Sequence, residues 1–185
     1  MRSAWPYDKR APDRAVSPPP CPLPGRFGGT PVFHHELLDS TQREARRLFA
    51  VGLPECVVVS RQQTDGHGRR GRYWWSLPGR SLLFSLLVNQ TGPGLEPQRV
   101  TVLLAEAAVA TLEEHGVQAY IKWPNDIMFD GLKCGGVIAE EVSGSGGRAA
   151  LVLGMGLNLH YSPDEFPLEL QGVAIAPFQS PGHTL

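Results

Sequence analysis

Residues 62–76 read Gln-Gln-Thr-Asp-Gly-His-Gly-Arg-Arg-Gly-Arg-Tyr-Trp-Trp-Ser and separate two apolar runs, at 56–59 and 82–88. Glycine tolerates backbone angles that turn successive amides into one concavity, so such a loop can bring N–H groups close to an anion. Its arginines add forked, permanently charged donors for carboxylate or phosphate oxygens. Trp74 and Trp75 supply a flat apolar wall. The stretch therefore predicts a site for an anion with an aromatic part, such as a nucleotide.

Two other interpretations of this stretch have to be weighed. Gly66, Gly68 and Gly71 have the G-x-G-x-x-G spacing of a dinucleotide-binding fold, which requires a helix directly afterwards. The Pro78-Gly79 pair that follows argues against that helix. A solvated basic hairpin loop is the simpler alternative, because arginine side chains are mostly exposed. The local residues leave that alternative open.

Length and composition restrict the class of protein. The 185 residues, 42% of them hydrophobic and with a net charge of −1, indicate one soluble globular domain and argue against a general nucleic-acid binder. Cys21, Cys56 and Cys134 are far apart and form no C-x-x-C motif, which argues against a disulfide framework or a zinc site. No signal peptide or membrane-spanning run is indicated. We expect a cytoplasmic protein.

The pattern on both sides of the loop predicts an α+β domain with a mixed, mostly antiparallel sheet and helices packed on it. A helix is expected from Thr41, with a Thr41–Glu44 capping box, to a cap at Gly52. A second helix should begin at Glu96-Pro97. Asp130-Gly131 predicts a two-residue hairpin turn. Strands are expected at 31–35, 57–61, 81–89, 118–122, 132–141 and 149–158, and the second helix should bury Val100, Leu103, Leu104, Ala107, Ala108 and Leu112.

Both ends of the chain are rich in proline. Residues 1–29 are predicted to form an extended or disordered leader, too short for a helix-turn-helix domain. After residue 158 the periodicity fades, and the end of the chain is expected to be loosely structured.

A second segment carries chemically useful groups. Residues 122–126 read Lys-Trp-Pro-Asn-Asp and follow a predicted strand, and the proline ends that strand so that Lys122 becomes a positioned charge. A surface lysine at a strand end is the structural alternative. Lys133, the Gly135-Gly136 pair and residues 154–158 add a second charge and places where a ligand can approach the backbone.

Three segments in this order resemble the catalytic domain of biotin protein ligases, also called biotin–[acetyl-CoA-carboxylase] ligases. They are residues 63–74, residues 122–126 with Lys133, and residues 154–158. The similarity extends over residues 32–158 and favours a ligand site over a surface loop. It implies a class II synthetase-like fold for residues 30–185, without an N-terminal winged helix or a C-terminal β-barrel.

The resemblance also implies two half-reactions. The biotin carboxylate attacks the α-phosphate of ATP to give biotinyl-5′-AMP and pyrophosphate, and a lysine of a carboxylase carrier domain then takes the biotin. Mg²⁺ is expected with the pyrophosphate. No DNA or membrane partner is expected.

Residue roles follow from the same resemblance. Lys122 corresponds to the family's active-site lysine and is the principal predicted catalytic residue, assisted by Arg69. The predicted biotin-binding residues are Ser40, Thr41, Gln42, Gln63, Gly66, His67, Gly68, Arg69 and Lys122. The predicted ATP- or adenylate-binding residues are Arg72, Trp74, Asn125, Lys133 and Asn158. The predicted metal ligands are Asn125 and Asp126.

Two positions depart from the family pattern, and two rival functions stay open. His67 stands where the family often has arginine, and Gln42 replaces a common asparagine. One rival is a lipoate or octanoate transferase, whose glycine-rich signature differs from residues 63–72. The other is a truncated, non-catalytic paralogue that binds biotin or biotinyl-AMP.

Overall fold

The computed structural model describes residues 21–22, 29–53, 55–89 and 96–178. Two α-helices lie in these residues, α1 (Thr41–Ala50) and α2 (Pro97–Glu114). The strands are β1 (Cys21–Pro22), β2 (Val32–His35), β3 (Cys56–Ser60), β4 (Gly66–His67), β5 (Tyr73–Trp74), β6 (Ser81–Asn89), β7 (Tyr120–Lys122), β8 (Asp126–Phe129), β9 (Leu132–Ser143) and β10 (Ala149–Asn158). The predicted α+β class is confirmed.

Eight of the described strands form one sheet, in the order β1-β2-β3-β6-β10-β9-β8-β7, and β4 pairs with β5 in a separate hairpin. Strands β2 and β3, which are connected through α1, run parallel. All other neighbours in the sheet are antiparallel. The predicted mixed, mostly antiparallel sheet is therefore confirmed, with the long strands β6, β10 and β9 at its centre.

The two described helices pack on opposite faces of this sheet. The apolar cluster around α1 includes Ala150 and Val152 of β10, whereas the cluster around α2 includes Met155 and Leu157 of the same strand. Successive side chains of a strand point to opposite faces, so the even and odd positions of β10 face different helices. Positions 154, 156 and 158 consequently face the α1 side.

Helix α1 lies where the sequence predicts it, but the predicted capping box is wrong. Ser40 is the N-cap residue, without a side-chain capping hydrogen bond, and Thr41 is the first helical residue. The Thr41 hydroxyl instead donates to Gln63 Oε1 at 3.1 Å, and Glu44 accepts a hydrogen bond from a guanidinium one turn later. At the other end Gly52 has φ 106°, as expected of a helix-ending glycine.

Helix α2 buries part of the predicted stripe. Its buried residues are Thr101, Ala105, Ala108 and Leu112, so Ala108 and Leu112 are confirmed. Predicted Leu104 is partly buried and packs against the same core, whereas Leu103 is 54% exposed. Thr101 and Ala105, which were not predicted, complete the buried stripe.

The hairpin between β8 and β9 confirms the turn prediction. Asp130 and Gly131 both have positive φ, 48° and 76°, as a type I′ turn requires, and Phe129 pairs with Leu132. The register of this hairpin shifts between Ile127 and Met128. Residues beyond the shift are therefore displaced relative to a regular ladder.

Gly135 in β9 is glycine because the core has no room for a side chain there. A Cβ at this position would lie 2.8 Å from Leu157 Cδ1 and 3.2 Å from the Gly156 carbonyl oxygen. Overpacking of a core costs about 1–3 kcal/mol, so Gly135→Ala should lower the free energy of unfolding in urea by that amount. Ser143→Ala, at the exposed end of the same strand, is the control. Equal stability of the two variants would contradict this packing.

Residues 159–178 are more ordered than the sequence indicates. Tyr161 and Phe166 are buried, at 4% and 3% exposure, and their rings lie 4.8 Å apart. The Tyr161 hydroxyl lies 2.7 Å from Ser81 Oγ and accepts the Leu77 N–H at 3.0 Å. The expectation of a loosely structured end is wrong for this segment, and residues 179–185 lie outside the described residues.

The N-terminal prediction falls mostly outside the described residues. Of the segment 1–29, the structure describes only Cys21–Pro22 and Gly29, and β1 pairs antiparallel with β2 through Cys21↔His34. In the part of the chain that the structure describes, no helix is both long and apolar enough to cross a membrane.

Buried His35 makes stability depend on pH. It is 4% exposed, and neither ring nitrogen has a hydrogen-bond partner among the described residues. Burial lowers its pKa from 6.5, with nearby Glu44 opposing the shift and His34 adding to it. The folded-state pKa lies below the unfolded one, so stability is complete above the unfolded pKa and is lost as pH falls towards the folded pKa.

We therefore expect the free energy of unfolding to decrease as pH drops below about 6.5. His35→Leu should remove part of this slope, whereas His115→Ala, at an exposed helix end, should not. Urea unfolding at several pH values measures both slopes. An identical slope in His35→Leu and the unchanged chain would contradict the assignment.

Candidate functional site

A cleft of about 230 Å³ lies on the α1 side of the sheet and brings most of the predicted site residues together. Among the predicted residues, those lining it are Ser40, Thr41, Gln42, Gln63, His67, Gly68, Arg69, Arg72, Trp74, Asn125, Lys133 and Asn158. Gly66, Asp126 and Lys122 do not line it. Gly66 is nevertheless adjacent, because a Cβ there would lie 2.7 Å from Gln63 Nε2.

Strand β10 forms the floor of the cleft. The amide of Gln42 lies over Gly154, where a Cβ would be 2.9 Å from Gln42 Cδ, and the indole of Trp74 lies over Gly156, where a Cβ would be 2.5 Å from the ring. Asn158 follows two residues later. Each pair of residues advances a strand by roughly 6.7 Å, so these three positions span about 13 Å. Both glycines are needed because side chains from outside the strand rest on its backbone.

A buried polar network forms the end of the cleft near Gly154. Gln63 Oε1 accepts hydrogen bonds from the Thr41 N–H at 2.7 Å and from the Thr41 hydroxyl at 3.1 Å. The Ser85 hydroxyl donates to Thr41 Oγ1 at 2.9 Å, and Ser85 pairs with Gly154 in the sheet. This network holds the start of α1, with 1%-exposed Ser40, against the floor.

Gln42 belongs to the same end but has a separate partner. Its Nε2 donates to Glu140 Oε2 at 2.9 Å, and Arg46 donates to the same oxygen at 2.5 Å. The residue is 3% exposed. Gln42 thus presents a fixed amide beside the Thr41–Gln63 network.

The arginine-rich stretch forms the hairpin β4–β5, in which Gly66 pairs with Trp74. Arg69 donates to Asn125 Oδ1 at 3.0 Å across 56 residues of sequence. Arg70 at the tip is exposed and has φ 60°. No helix follows Gly71, which agrees with the rejection of a dinucleotide-binding fold. The hairpin is also not a purely solvated loop, since one side of it lines the cleft.

Lys133 supplies the cation nearest the centre of the floor. Its Nζ forms an ion pair with Asp126 Oδ1, lies 5.9 Å from the centre of the Trp74 ring, and would be 3.3 Å from a Cβ on Gly136. Gly136 pairs with Gly156. The ammonium group is therefore held beside the middle of the cleft.

Lys122 is placed differently. It lies on β7, the strand at the edge of the sheet, and is exposed. It pairs directly with Asp126, and Asp126 pairs with Gly136. Side chains of directly opposed residues lie on the same face of a sheet, so Lys122 lies on the cleft-facing side, next to Asp126. Lys122 is exposed and is not among the residues that line the cleft, and its predicted catalytic and biotin-binding roles stay predictions.

The far wall of the cleft was missed by sequence reasoning. Trp75 lines the cleft as predicted, and among the residues that line it and were not predicted are Tyr73, Ile138, Phe166, Leu170, Val173 and Ala174. The last four come from the proline-rich end, which is attached through backbone hydrogen bonds from Lys133 N to Val173 O and from Ile175 N to Lys133 O, each 3.0 Å. The available signal was apolar residues at 166, 170 and 173 in an otherwise unpatterned segment.

Three buried polar atoms in the cleft have no hydrogen-bond partner among the described residues: Gln42 Oε1, His67 Nδ1 and Trp74 Nε1. Leaving a buried polar group unpaired is unfavourable by about 1–3 kcal/mol. Their clustering in one cleft indicates that a ligand with both donors and acceptors completes the site.

Comparison with known proteins identifies the family. Residues 36–158 match the Biotin/lipoate A/B protein ligase family. The chain belongs to this family. The resemblance inferred from the three sequence segments is thereby confirmed.

Relatives in the family are ligases by name. The chain is 35% identical over 168 residues to the bifunctional ligase/repressor BirA of Bacillus subtilis, covering 86% of this chain and 52% of that protein. It is 36% identical over 139 residues to the biotin–[acetyl-CoA-carboxylase] ligase of Paracoccus denitrificans, covering 71% and 55%. The chain thus spans about half the length of the curated relatives it matches.

Solved structures in the family show the same fold. The biotin protein ligase of Aquifex aeolicus in complex with biotin and ATP has a TM-score of 0.62 and 29% identity, over 78% of this chain and 58% of that one. The biotin acetyl coenzyme A carboxylase synthetase of Helicobacter pylori with bound biotinylated ATP has a TM-score of 0.59 and 28% identity, over 69% and 60%.

The predicted magnesium ligands do not fit a preformed metal site. Asn125 Oδ1 accepts a hydrogen bond from Arg69, and the Asp126 carboxylate is paired with Lys133. Among the described residues, no group of three or more His, Cys, Asp or Glu could hold a metal ion. The metal assignment stays a prediction, and no step proposed below depends on it.

Proposed function

We propose that the chain activates biotin with ATP to give biotinyl-5′-AMP and then transfers the biotin to a lysine amine of a carrier domain. The observation that carries this proposal is the order of groups along β10. Neutral hydrogen-bonding groups lie at Gly154, cations and an indole at Gly156, and an apolar wall beside Asn158. A ligand with a polar uncharged head, an anionic middle and an aromatic end matches that order.

The first step brings two anions together. A carboxylate oxygen of biotin attacks the α-phosphorus, the bond from that phosphorus to the bridging oxygen breaks, and pyrophosphate leaves. Placing cations before the reaction starts lowers the cost of this approach, because the site does not have to reorganise. Two cations line the cleft, Lys133 from strand β9 and Arg69 from the β4–β5 hairpin.

We assign charge-stabilising roles to both Lys133 and Lys122. Lys133 lines the cleft beside the Gly136–Gly156 pair. Lys122 lies opposite Asp126 in the same row of cross-strand neighbours, with its exposed side chain on the same face of the sheet. Asp126 holds the Lys133 ammonium group in position. Phosphate and carboxylate oxygens can then approach a cation that is already oriented.

The head of biotin is uncharged and offers a carbonyl oxygen and two N–H groups. The Ser40, Thr41, Gln42 and Gln63 side chains at the Gly154 end provide complementary donors and acceptors. Because these groups are already fixed by the Thr41–Gln63 and Gln42–Glu140 hydrogen bonds, binding costs little further side-chain ordering.

The nucleotide would occupy the opposite end. Trp74 and Phe166 offer flat apolar surfaces for a base, and Leu170 and Val173 line the cleft beside them. Asn158 Nδ2 donates to Ile175 O at 3.2 Å, which ties that wall to the floor. Arg72 lines the cleft within reach of the phosphate side.

The β4–β5 hairpin would protect the adenylate from water. Arg69 already joins the hairpin to Asn125, which lies after the edge strand β7. Exclusion of water prevents hydrolysis of a reactive mixed anhydride. In the second step the lysine amine attacks the acyl carbon of biotinyl-AMP, and AMP leaves.

Transfer to a carrier domain tests the whole proposal. The purified chain would be incubated with ATP, biotin and a biotin carboxyl carrier domain, and the product detected by mass spectrometry as the mass gain of one biotinyl group. A carrier whose acceptor lysine is replaced by arginine is the control. Labelling of the intact carrier and not of the control supports the proposal. Adenylate formation without labelling would restrict the chain to the first half-reaction.

A further inference from the structure

We propose that Glu140 is a positioning residue that fixes the orientation of the Gln42 amide, so that the cleft presents an acceptor to one N–H of the biotin head. This inference rests on the proposed function, because it takes biotin as the occupant. It adds a residue outside the cleft lining to the determinants of ligand choice.

The orientation of the amide follows from the chemistry of its partner. Gln42 Nε2 donates to Glu140 Oε2 at 2.9 Å, and an ionised carboxylate can only accept hydrogen bonds. Turning the amide over would place its oxygen against the carboxylate oxygen. The NH₂ group of Gln42 must therefore face Glu140.

The oxygen of the Gln42 amide lacks a hydrogen-bond donor among the described residues. Gln42 Oε1 is buried and accepts no hydrogen bond from the described residues. Trp74 Nε1, a donor in the same cleft, is also without a partner and does not supply it. A ligand N–H is the missing partner, and a ligand acceptor at that position would be repelled.

Packing also holds the Gln42 amide in this orientation. A Cβ on Gly154 would lie 2.9–3.0 Å from the Cδ, Cγ and Oε1 atoms of Gln42, so the amide rests directly on the strand backbone. Glu140 is itself held by Arg46, whose guanidinium donates to Oε2 at 2.5 Å. The amide is thus confined by the strand below it and by an anchored carboxylate beside it.

This arrangement makes a prediction about ligand selection. A site built to hydrogen-bond a particular ligand group rejects analogues that lack it, because its own buried group is then left unpaired. The cleft should therefore discriminate against biotin methylated at the ureido nitrogen that faces Gln42. Glu140, which does not touch the ligand, should control that discrimination.

The test compares Glu140→Gln with Glu141→Gln by isothermal titration calorimetry of biotin and of the two N-methyl ureido analogues. Glu141 is the neighbouring residue on β9, is exposed, and by strand alternation points to the opposite face. A glutamine at 140 can donate as well as accept, so the Gln42 amide becomes free to turn. Circular dichroism establishes that each variant is folded.

We expect Glu140→Gln to weaken biotin binding by roughly 2- to 10-fold, the effect of weakening one neutral hydrogen bond from the ligand to the Gln42 amide oxygen. It should also bring the affinities for biotin and the discriminated analogue closer together, which a merely structural change would not do. Glu141→Gln should match the unchanged chain on both measures. Unchanged affinity and unchanged discrimination in folded Glu140→Gln would overturn the inference.

Two further results separate the possible failures. If Glu140→Gln does not fold, Gln42→Met removes the same acceptor, and persistent discrimination against the N-methyl analogue in that variant would also overturn the inference. If the unchanged chain binds no biotin, the proposed function itself fails. Biotin binding without discrimination between the three compounds would leave that function standing and refute the role of Glu140.

Discussion

Lys133→Ala is expected to slow biotin-dependent adenylation by about 10²–10³-fold, because one preorganised cation disappears from the place where negative charge is concentrated. The ammonium group lies beside the Gly136–Gly156 pair at the middle of the cleft floor. Lys122→Ala should also slow this step, because Lys122 lies opposite Asp126 on the same face of the sheet. Arg99→Ala removes a positive charge from an exposed position on α2, on the opposite face of the sheet, and is the control whose rate should change little.

Single-turnover formation of biotinyl-AMP measures these variants without interference from product release. A large loss in Lys122→Ala together with a normal rate in Lys133→Ala would contradict the role assigned to Lys133. Asp126→Asn complements the pair, because it removes the carboxylate that holds Lys133 but keeps the ammonium group. Asp126→Asn should slow adenylation less than Lys133→Ala does.

Arg69→Ala is expected to release biotinyl-AMP from the cleft roughly 10- to 100-fold faster, the effect of losing one charge-assisted hydrogen bond. Arg69 ties the β4–β5 hairpin to Asn125, and both residues line the cleft. Once that contact is lost, the hairpin opens and the adenylate escapes. Free biotinyl-AMP in solution, separated by chromatography, measures the effect.

Arg70→Ala removes the same charge from the next residue, at the exposed tip of the hairpin. This control should retain the adenylate as the unchanged chain does. Equal release by the two variants would mean that the net charge of the hairpin, and not the Arg69–Asn125 contact, holds the adenylate.

The sheet was predictable because its strands carry local signals. Apolar runs fix β3, β6 and β10, and the Asp130-Gly131 pair fixes the β8–β9 hairpin through its positive φ values. The capping of α1 was not predictable from spacing alone. Thr41 is the first helical residue because a distant side chain, Gln63, takes its hydroxyl and N–H.

Most of the residues that line the cleft were predictable from the resemblance, but which of two lysines lines it was not. Lys122 and Lys133 both stand near strand ends with suitable neighbours in sequence. Lys133 lines the cleft, whereas Lys122 lies on the edge strand β7 of the same face, and the order of strands in a sheet is not visible in the local sequence pattern.

The apolar wall formed by residues 166–174 was not predicted from the sequence, for a different reason. It forms no regular helix or strand, and it is held by isolated bridges such as Lys133↔Ala174 and by packing among Trp75, Tyr161 and Phe166. Sequence periodicity reveals neither the isolated bridges nor the aromatic packing. The prolines correctly indicated a segment without regular secondary structure, but this segment is nevertheless ordered.

Exchange of labelled pyrophosphate into ATP shows whether this cleft joins biotin to AMP. The purified chain would be assayed with biotin, with lipoate and with octanoate, using Lys133→Ala as the negative control. We expect exchange that depends on biotin and is absent with the other two acids. Exchange with lipoate or octanoate would indicate the related transferase chemistry. No exchange from a folded chain that still binds biotin would refute the proposed adenylation and indicate a non-catalytic binding protein.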